Sequence, residues 1–190
     1  WWAVDYDRRL YRILELYGCA KDSGGEYVAN TGVRQTPGEI FSLIAETEKT
    51  HPFLRGKKIM GVADPSIWDK SRGTSVAEEA EKKGIYFEKG DNTRRPGWMQ
   101  VHYRLRFDER GIPMMYVFSN CRGFIKTFPA LVYSKTDPED LDTEGEDHIA
   151  DEVRYMCMAH PLAPEKRCEA KAPAFSPLSD EGCNYNYYLI

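Results

Sequence analysis

The sequence predicts a single α/β domain, and three observations lead to that fold class. The chain has 190 residues, 42% hydrophobic and 13% aromatic, which is enough to bury one sizeable core. Short apolar or aromatic runs alternate along the chain with capped amphipathic helices. The run KKIMGVAD, residues 57–64, is bounded by charge and by Pro65 and is typical of a buried strand that ends at Asp64.

The first elements predicted are two strands that form a hairpin. The runs Trp1–Val4 and Leu10–Tyr17 are rich in β-formers, and the polar turn Asp5–Arg9 joins them. KDSGGE, residues 21–26, is predicted to be a loop.

Two helices with capping boxes follow, one on each side of the strand that ends at Asp64. The boxes pair a hydroxyl residue with a glutamate three positions later, and they are Thr36 with Glu39 and Ser75 with Glu78. Pro37 suits the first position of the earlier helix, and Gly84 stops the later one. In the earlier helix, Ile40, Leu43, Ile44 and Thr47 share one face.

The second half of the chain continues the α/β order. We expect a short strand at 85–90, a helix after Pro96, a strand at 114–119, a helix over 121–134 and a final acidic helix. From His160 the chain becomes Pro-rich and loses its periodicity, so residues 160–190 are predicted to be a tail behind a domain of residues 1–159.

The net charge of −4 argues against a generally basic nucleic-acid-binding coat, but the charges are unevenly distributed. Seven Lys or Arg residues and two acids lie between Arg94 and Lys126, whereas nine acids and no Lys or Arg lie between Asp137 and Glu152. This pattern indicates one surface that could hold a polyanion and another that could hold cations.

Cysteine usage and hydropathy limit the class of protein further. The five cysteines are scattered without a CxxC pair, so we expect free thiols in a reducing cytoplasm rather than a disulfide framework or a zinc site. No apolar run is long enough to span a bilayer, and no signal peptide is evident. Since the chain opens on Trp1 without an initiator Met, we expect it to be a piece of a longer protein.

Acidic residues gather where the final helix begins. Asp147 and Asp151 lie four positions apart, opposite the apolar stripe, and His148 lies one turn before Asp151. Acids are also common at helix N-termini because the helix dipole favours them, so a solvated helix end stays open as an interpretation. The strand-end Asp64 favours a site, because carboxyl ends of strands bind ligands in open α/β sheets. Aspartates without softer ligands suit Mg²⁺ or Mn²⁺ better than zinc.

Four segments, taken in this order, resemble the nuclease domain of a phage terminase large subunit, the motor that packages viral DNA. They are WWAVDYDRRLYRILELYG (1–18), GVADPSIWD (61–69), GDNTRRPGW (90–98) and LDTEGEDHIADEVRY (141–155). The resemblance implies a ribonuclease-H-like fold, a mixed sheet flanked by helices on both faces. It also implies a metal-dependent DNA endonuclease in the cytoplasm of an infected or lysogenic host cell.

The resemblance also implies roles for individual residues. Asp64 matches the second catalytic aspartate and Asp151 the third, while Asp147 and His148 match positions close to the metals. The family's first aspartate lies in a strand before the part that matches Trp1, so that strand is expected to be missing here. Asp5 and Asp7 are the nearest acids but fall in the predicted hairpin turn.

The implied chemistry is phosphodiester hydrolysis of concatemeric duplex DNA with two divalent ions, Mg²⁺ or Mn²⁺. One ion would activate a water and the other would stabilise the leaving oxygen. His148 would orient Asp151 or assist the water, although an exposed or capping histidine is the simpler interpretation. No G-x-x-x-x-G-K-[ST] motif occurs in this chain, and the resemblance implies that the ATPase domain lies upstream.

The expected partners are duplex DNA and, by the resemblance, the portal and the small terminase subunit. The candidates for phosphate contacts are Arg94, Arg95, Arg104, Arg106 and Lys126. Trp98 is predicted to be a packing residue. Two alternatives remain open: a catalytically silent DNA-clamping or docking module, and, less well supported, a phosphatase-like metal hydrolase.

Overall fold

The computed structural model describes residues 1–71, 73–142 and 145–162, and this part of the chain is an α/β domain. Its strands are β1 (Trp2–Val4), β2 (Leu10–Arg12), β3 (Cys19–Lys21), β4 (Tyr27–Gly32), β5 (Gly61–Ala63), β6 (Phe87–Lys89) and β7 (Met115–Val117). Its α-helices are α1 (Pro37–Thr50), α2 (Val76–Glu81), α3 (Arg94–Leu105), α4 (Arg122–Thr127) and α5 (His148–Ala159). Short 3₁₀ helices span Pro65–Trp68 and Phe128–Ala130.

The described strands form three sheets, one of them mixed. In the order β1-β2-β7, β1 runs antiparallel to β2 and β2 runs parallel to β7. β5 and β6 form a parallel pair, and β3 and β4 form an antiparallel hairpin. The predicted α/β class with a mixed sheet is therefore confirmed, as is the first hairpin, although β2 ends at Arg12 instead of Tyr17.

Both predicted capping boxes are present. The side chains of Thr36 and Ser75 accept hydrogen bonds from the backbone N–H groups of Glu39 and Glu78, whose carboxylates accept bonds from the two cap N–H groups in return. These reciprocal bonds satisfy N–H groups that a helix start leaves without partners.

The contact of α1 with the core matches the predicted face only in part. Phe41 is the buried residue of α1 and packs with Ala80 and Ile85. Of the predicted face, Ile44 packs against this cluster, whereas Ile40 and Leu43 are exposed.

The main core lies between the β1-β2-β7 sheet and the helices α3, α4 and α5. It consists of Leu10, Trp98, Val101, Cys121, Phe124, Ile149, Ala150, Val153 and Cys157. α3 and α5 approach closely at Gly97, where an added Cβ would lie 2.5 Å from Cγ of Arg154. Trp98 is buried, which confirms its prediction as a packing residue.

Two local predictions need correction, whereas the predicted loop 21–26 is confirmed as the turn between β3 and β4, apart from Lys21, which ends β3. The helix predicted over 121–134 ends at Thr127 and gives way to a 3₁₀ turn, because Pro129 cannot continue an α-helix. α3 begins at Arg94, before Pro96, since proline is tolerated in the first turn.

Several predictions concern cysteines, membranes and the tail. Cys19, Cys121 and Cys157 are buried free thiols, and Cys168 and Cys183 lie outside the described residues. Within the described ranges, no helix combines the length and apolar character needed to cross a membrane. Apart from His160 to Leu162, the predicted tail also lies outside the described residues.

Candidate functional site

Asp64 lies directly after β5, where the chain enters the 3₁₀ helix Pro65–Trp68. Its Oδ1 accepts a hydrogen bond from the Ser66 N–H at 2.8 Å, and its Oδ2 accepts one from the hydroxyl of Tyr155 on α5. The hydrogen bonds from Ser66 and then Tyr155 lower the pKa of Asp64. Asp64 is therefore an oriented, ionised carboxylate at neutral pH.

Asp151 lies in the first turn of α5 and is held by guanidinium groups. Its Oδ1 accepts from Nη2 and Nε of Arg154 at 2.9 and 3.2 Å, and Nη1 of Arg94 lies 3.6 Å away. Arg154 is only 2% exposed, and its guanidinium lies over the rings of Trp98 and Tyr155. A buried cation of this kind restricts the rotamers of Asp151 and balances its charge.

Both carboxylates line one groove with a volume of about 970 Å³. The groove runs between residues 1–4, which include β1, and residues 60–64, which include β5. Tyr155 also lines it, and its hydrogen bond to Asp64 ties α5 to the end of β5. The fold thus brings the predicted strand-end and helix-start aspartates to a shared groove.

The two walls of this groove are sheet edges. Among the described strands, β1 pairs with β2 alone and β5 with β6 alone, so each leaves one edge unpaired. Much of the lining is apolar, and Val4 and Met60 are 40% and 52% exposed. Unpaired strand edges beside exposed apolar side chains form a surface suited to an additional strand.

His148 and Asp147 lie beside the groove in different ways. The His148 side chain is 78% exposed and lines the groove, with Nδ1 3.8 Å from a carboxylate oxygen of Asp147. Asp147 is the N-cap of α5 and has 15% side-chain exposure. His148 thus lies near the carboxylate of Asp147, whereas the prediction paired His148 with Asp151. Within residues 1–71, 73–142 and 145–162, no group of three or more His, Cys, Asp or Glu side chains is arranged to hold a metal ion.

Tyr155 and Arg154 are site residues that the sequence reasoning missed. They follow Asp151 by four and three positions, a spacing that puts all three side chains on neighbouring parts of one helix surface. This spacing would have identified Arg154 as a partner of Asp151, whereas Tyr155 contacts Asp64, which lies 91 positions away in the chain.

The predicted phosphate-contact residues have different surroundings. Nε of Arg94 lies 2.7 and 2.9 Å from the two carboxylate oxygens of Asp140, and Arg95 pairs with Asp137 at 3.0 Å and with Glu139 at 3.4 Å. Hydrogen bonds from Arg94 first, and then from Trp98 and the Leu141 N–H, lower the pKa of Asp140 to about 2. The basic and acidic segments expected on separate surfaces thus face each other here.

Arg104 is a correction to the predicted DNA-binding set. Its side chain is fully buried and donates hydrogen bonds to the backbone carbonyls of Arg8 and His160, so it is not accessible to a phosphate. Arg106 is exposed just after α3, and Lys126 is exposed on α4. These two residues remain accessible candidates.

Comparisons of the chain with protein-family models, with curated proteins and with solved structures find no match.

Proposed function

We propose that this domain is a metal-dependent DNA endonuclease of ribonuclease-H-like fold, the nuclease part of a phage terminase large subunit. The observation that carries the proposal is the groove shared by Asp64 and Asp151, each held in place by a neighbour on α5. Its substrate would be concatemeric duplex DNA in the host cytoplasm. Its partners would be an upstream ATPase domain, the portal and the small terminase subunit.

The donor chemistry of the groove is compatible with Mg²⁺ or Mn²⁺, because both ions prefer carboxylate oxygens. Asp64 and Asp151 are the residues that would hold two such ions. When bound, the ions would supply a water of lowered pKa and would stabilise the leaving oxygen. The low pKa of Asp64 keeps that carboxylate charged without help from an ion.

A further strand between β1 and β5 would complete the proposed sheet. The two unpaired edges and the apolar groove between them support this arrangement, since one inserted strand would pair with both edges and cover exposed side chains such as Val4 and Met60. We assign this position to the upstream strand that carries the family's first aspartate. That residue would add a carboxylate beside the two described ones.

The neighbouring side chains would accept the proton of the attacking water or hold the two aspartates in position. His148 lines the groove and is exposed, so its imidazole would accept the proton of the attacking water. Tyr155 keeps Asp64 directed toward α5, and Arg154 keeps Asp151 in one rotamer. Asp147 would orient the imidazole of His148 across their 3.8 Å separation.

The test is a plasmid-nicking assay with Mn²⁺ or Mg²⁺ and chelator controls, on residues 1–190 and on a protein extended upstream by the preceding strand. We expect little or no cutting by the short chain and metal-dependent cutting by the long one. In the long protein, Asp64→Ala and Asp151→Ala should each abolish cutting. The matched control Asp69→Ala removes an exposed carboxylate five positions from Asp64, outside the groove lining, and should preserve cutting.

A second candidate, a catalytically silent DNA-clamping or docking module, is favoured by the pairing of Asp151 with Arg154 and Arg94. A carboxylate that only stabilises the fold would form ion pairs of this kind. Absence of cutting by a folded long protein at any Mn²⁺ concentration would favour this candidate. Strong cutting by the short chain would instead mean that another acid, such as Asp5 or Asp147, replaces the family's first aspartate.

A further inference from the structure

Two exposed lysines lie against one tyrosine of the β3–β4 hairpin, and the exposed Arg122 lies four positions before one of them on α4. Nζ of Lys21 lies 4.9 Å from the ring centroid of Tyr27, and Nζ of Lys126 lies 6.0 Å from it. Lys126 also donates a hydrogen bond of 2.9 Å to the Tyr27 carbonyl. Burial raises the pKa of Tyr27, and the nearby charge of Arg122 acts in the opposite direction. We call Lys21, Tyr27, Arg122 and Lys126 the Tyr27 cluster.

The cations of the Tyr27 cluster differ from Arg94 and Arg95 in their electrostatic surroundings. In the part of the chain that the structure describes, no ion pair joins Lys21, Arg122 or Lys126 to a carboxylate. A cation already paired with a carboxylate gains less from a phosphate than one that faces water.

The acids near the cluster are engaged elsewhere or lie at the hairpin turn. Glu15 accepts backbone hydrogen bonds from Gly123 and Phe124 and pairs with Arg12, so its charge is satisfied inside the domain. Asp22 accepts backbone hydrogen bonds within the turn, from Gly24 and Glu26. The three cations of the cluster outnumber the two exposed acids of the turn, Asp22 and Glu26, so the net charge here is positive.

The hairpin places this positive charge next to the groove that Asp64 and Asp151 line. A small pocket is lined by Cys19 of β3, Gly32 of β4 and His148 of α5, and His148 also lines the groove. Lys21 is two residues beyond Cys19 along β3, a displacement of about 7 Å. One duplex could therefore contact both the cluster and the groove.

We propose that the Tyr27 cluster binds backbone phosphates of duplex DNA beside the groove that Asp64 and Asp151 line. The proposal rests on the proposed nuclease function and moves the main phosphate contacts from the start of α3 to the hairpin and α4. Contacts to phosphates carry no base information, so binding is indifferent to sequence. The Tyr27 ring and carbonyl limit the positions available to the lysine ammonium groups, which reduces the entropy lost on binding.

The experiment measures fluorescence anisotropy of a labelled 20-base-pair duplex with the 1–190 chain, in chelator, across a salt series. Lys21→Gln, Arg122→Gln and Lys126→Gln should each weaken binding by about 3- to 10-fold at low salt. Each should also reduce the slope of log affinity against log salt by about one. The matched control Arg95→Gln, at a cation paired with Asp137 and Glu139, should change affinity by less than about 2-fold.

Two outcomes would overturn the proposal. In the first, Arg95→Gln loses binding while the variant that combines all three cluster substitutions binds as before. This result would place the phosphate surface at the start of α3. Binding of the chain to vesicles of phosphatidylserine and phosphatidylcholine, without binding to duplex, would identify a membrane surface. Because chelator prevents cutting, this assay can fail or succeed independently of the plasmid-nicking test.

Discussion

Asp140 offers a quantitative test of how the loop before α5 is attached to α3. Its carboxylate accepts hydrogen bonds from Nε of Arg94 and, at 2.7 Å, from Nε1 of the buried Trp98. Asp140→Asn removes the charge but keeps an oxygen that can accept from Trp98. The substitution therefore isolates the charge-dependent part of the attachment.

The magnitude follows from the pKa of Asp140, which Arg94 first, and then Trp98 and the Leu141 N–H, lower from 3.8 to about 2. A shift of this size corresponds to roughly 2.4 kcal/mol at most. Since the two side chains are 32% and 22% exposed, solvent screening reduces the expected free energy of unfolding lost in Asp140→Asn at pH 7 to about 1–2 kcal/mol.

The pH dependence of this difference has a definite sign. Because the folded pKa is depressed, the contribution of Asp140 is fully present well above pH 3.8 and is lost as pH falls through about 2. At pH 3 about half of it should remain. Wild type and Asp140→Asn should therefore differ by about 0.5–1 kcal/mol at pH 3.

The measurement is urea unfolding followed by tryptophan fluorescence at pH 7 and pH 3. Glu109→Gln, which removes an exposed carboxylate on the loop after α3, controls for the change in net charge. A difference between wild type and Asp140→Asn that is equal at the two pH values, or that is matched by Glu109→Gln, would refute the assignment to the Arg94 ion pair.

Two further predictions concern α5. Tyr155→Phe should raise the pKa of Asp64 and lower the free energy of unfolding by about 1–2 kcal/mol, because a hydrogen bond to a charged group is lost. NMR titration of the Asp64 carboxyl carbon measures the pKa, and an unchanged value would contradict the contact. Gly97→Ala should lower the free energy of unfolding in urea by about 1–3 kcal/mol, because the new methyl group meets Arg154. Gly38→Ala places its methyl group in open space and should lower it by less than about 0.5 kcal/mol. Equal costs would show that α3 and α5 are not in close contact.

The features predictable from the sequence are those with local causes. Both capping boxes depend on residues three positions apart, and the buried stripe of α5 follows from the period of Ile149 and Val153. The strand that ends at Asp64 was marked by an apolar run and a following proline. Each signal lies within one turn or one strand, so no tertiary information was needed.

The features that could not be predicted depend on contacts between distant segments. Arg104 has the sequence context of an exposed helix residue, but its guanidinium is buried because carbonyls of Arg8 and His160 meet there. The charge pattern of residues 94–126 and 137–152 suggested two separate surfaces. Folding brings parts of them together, as the pairs of Arg94 and Arg95 show, because opposite charges attract across loops that sequence periodicity does not describe.

The pairing around Asp151 determines which of its two cations can leave it. Arg154 is 2% exposed, lies against Gly97 and donates to the Thr93 carbonyl, so withdrawing it would separate α5 from α3. Arg94 is 32% exposed, lies 3.6 Å from Asp151 and already has its strongest partner in Asp140. We therefore expect a change of charge at Asp151 to be accommodated by movement of Arg94, whereas Arg154 stays in place.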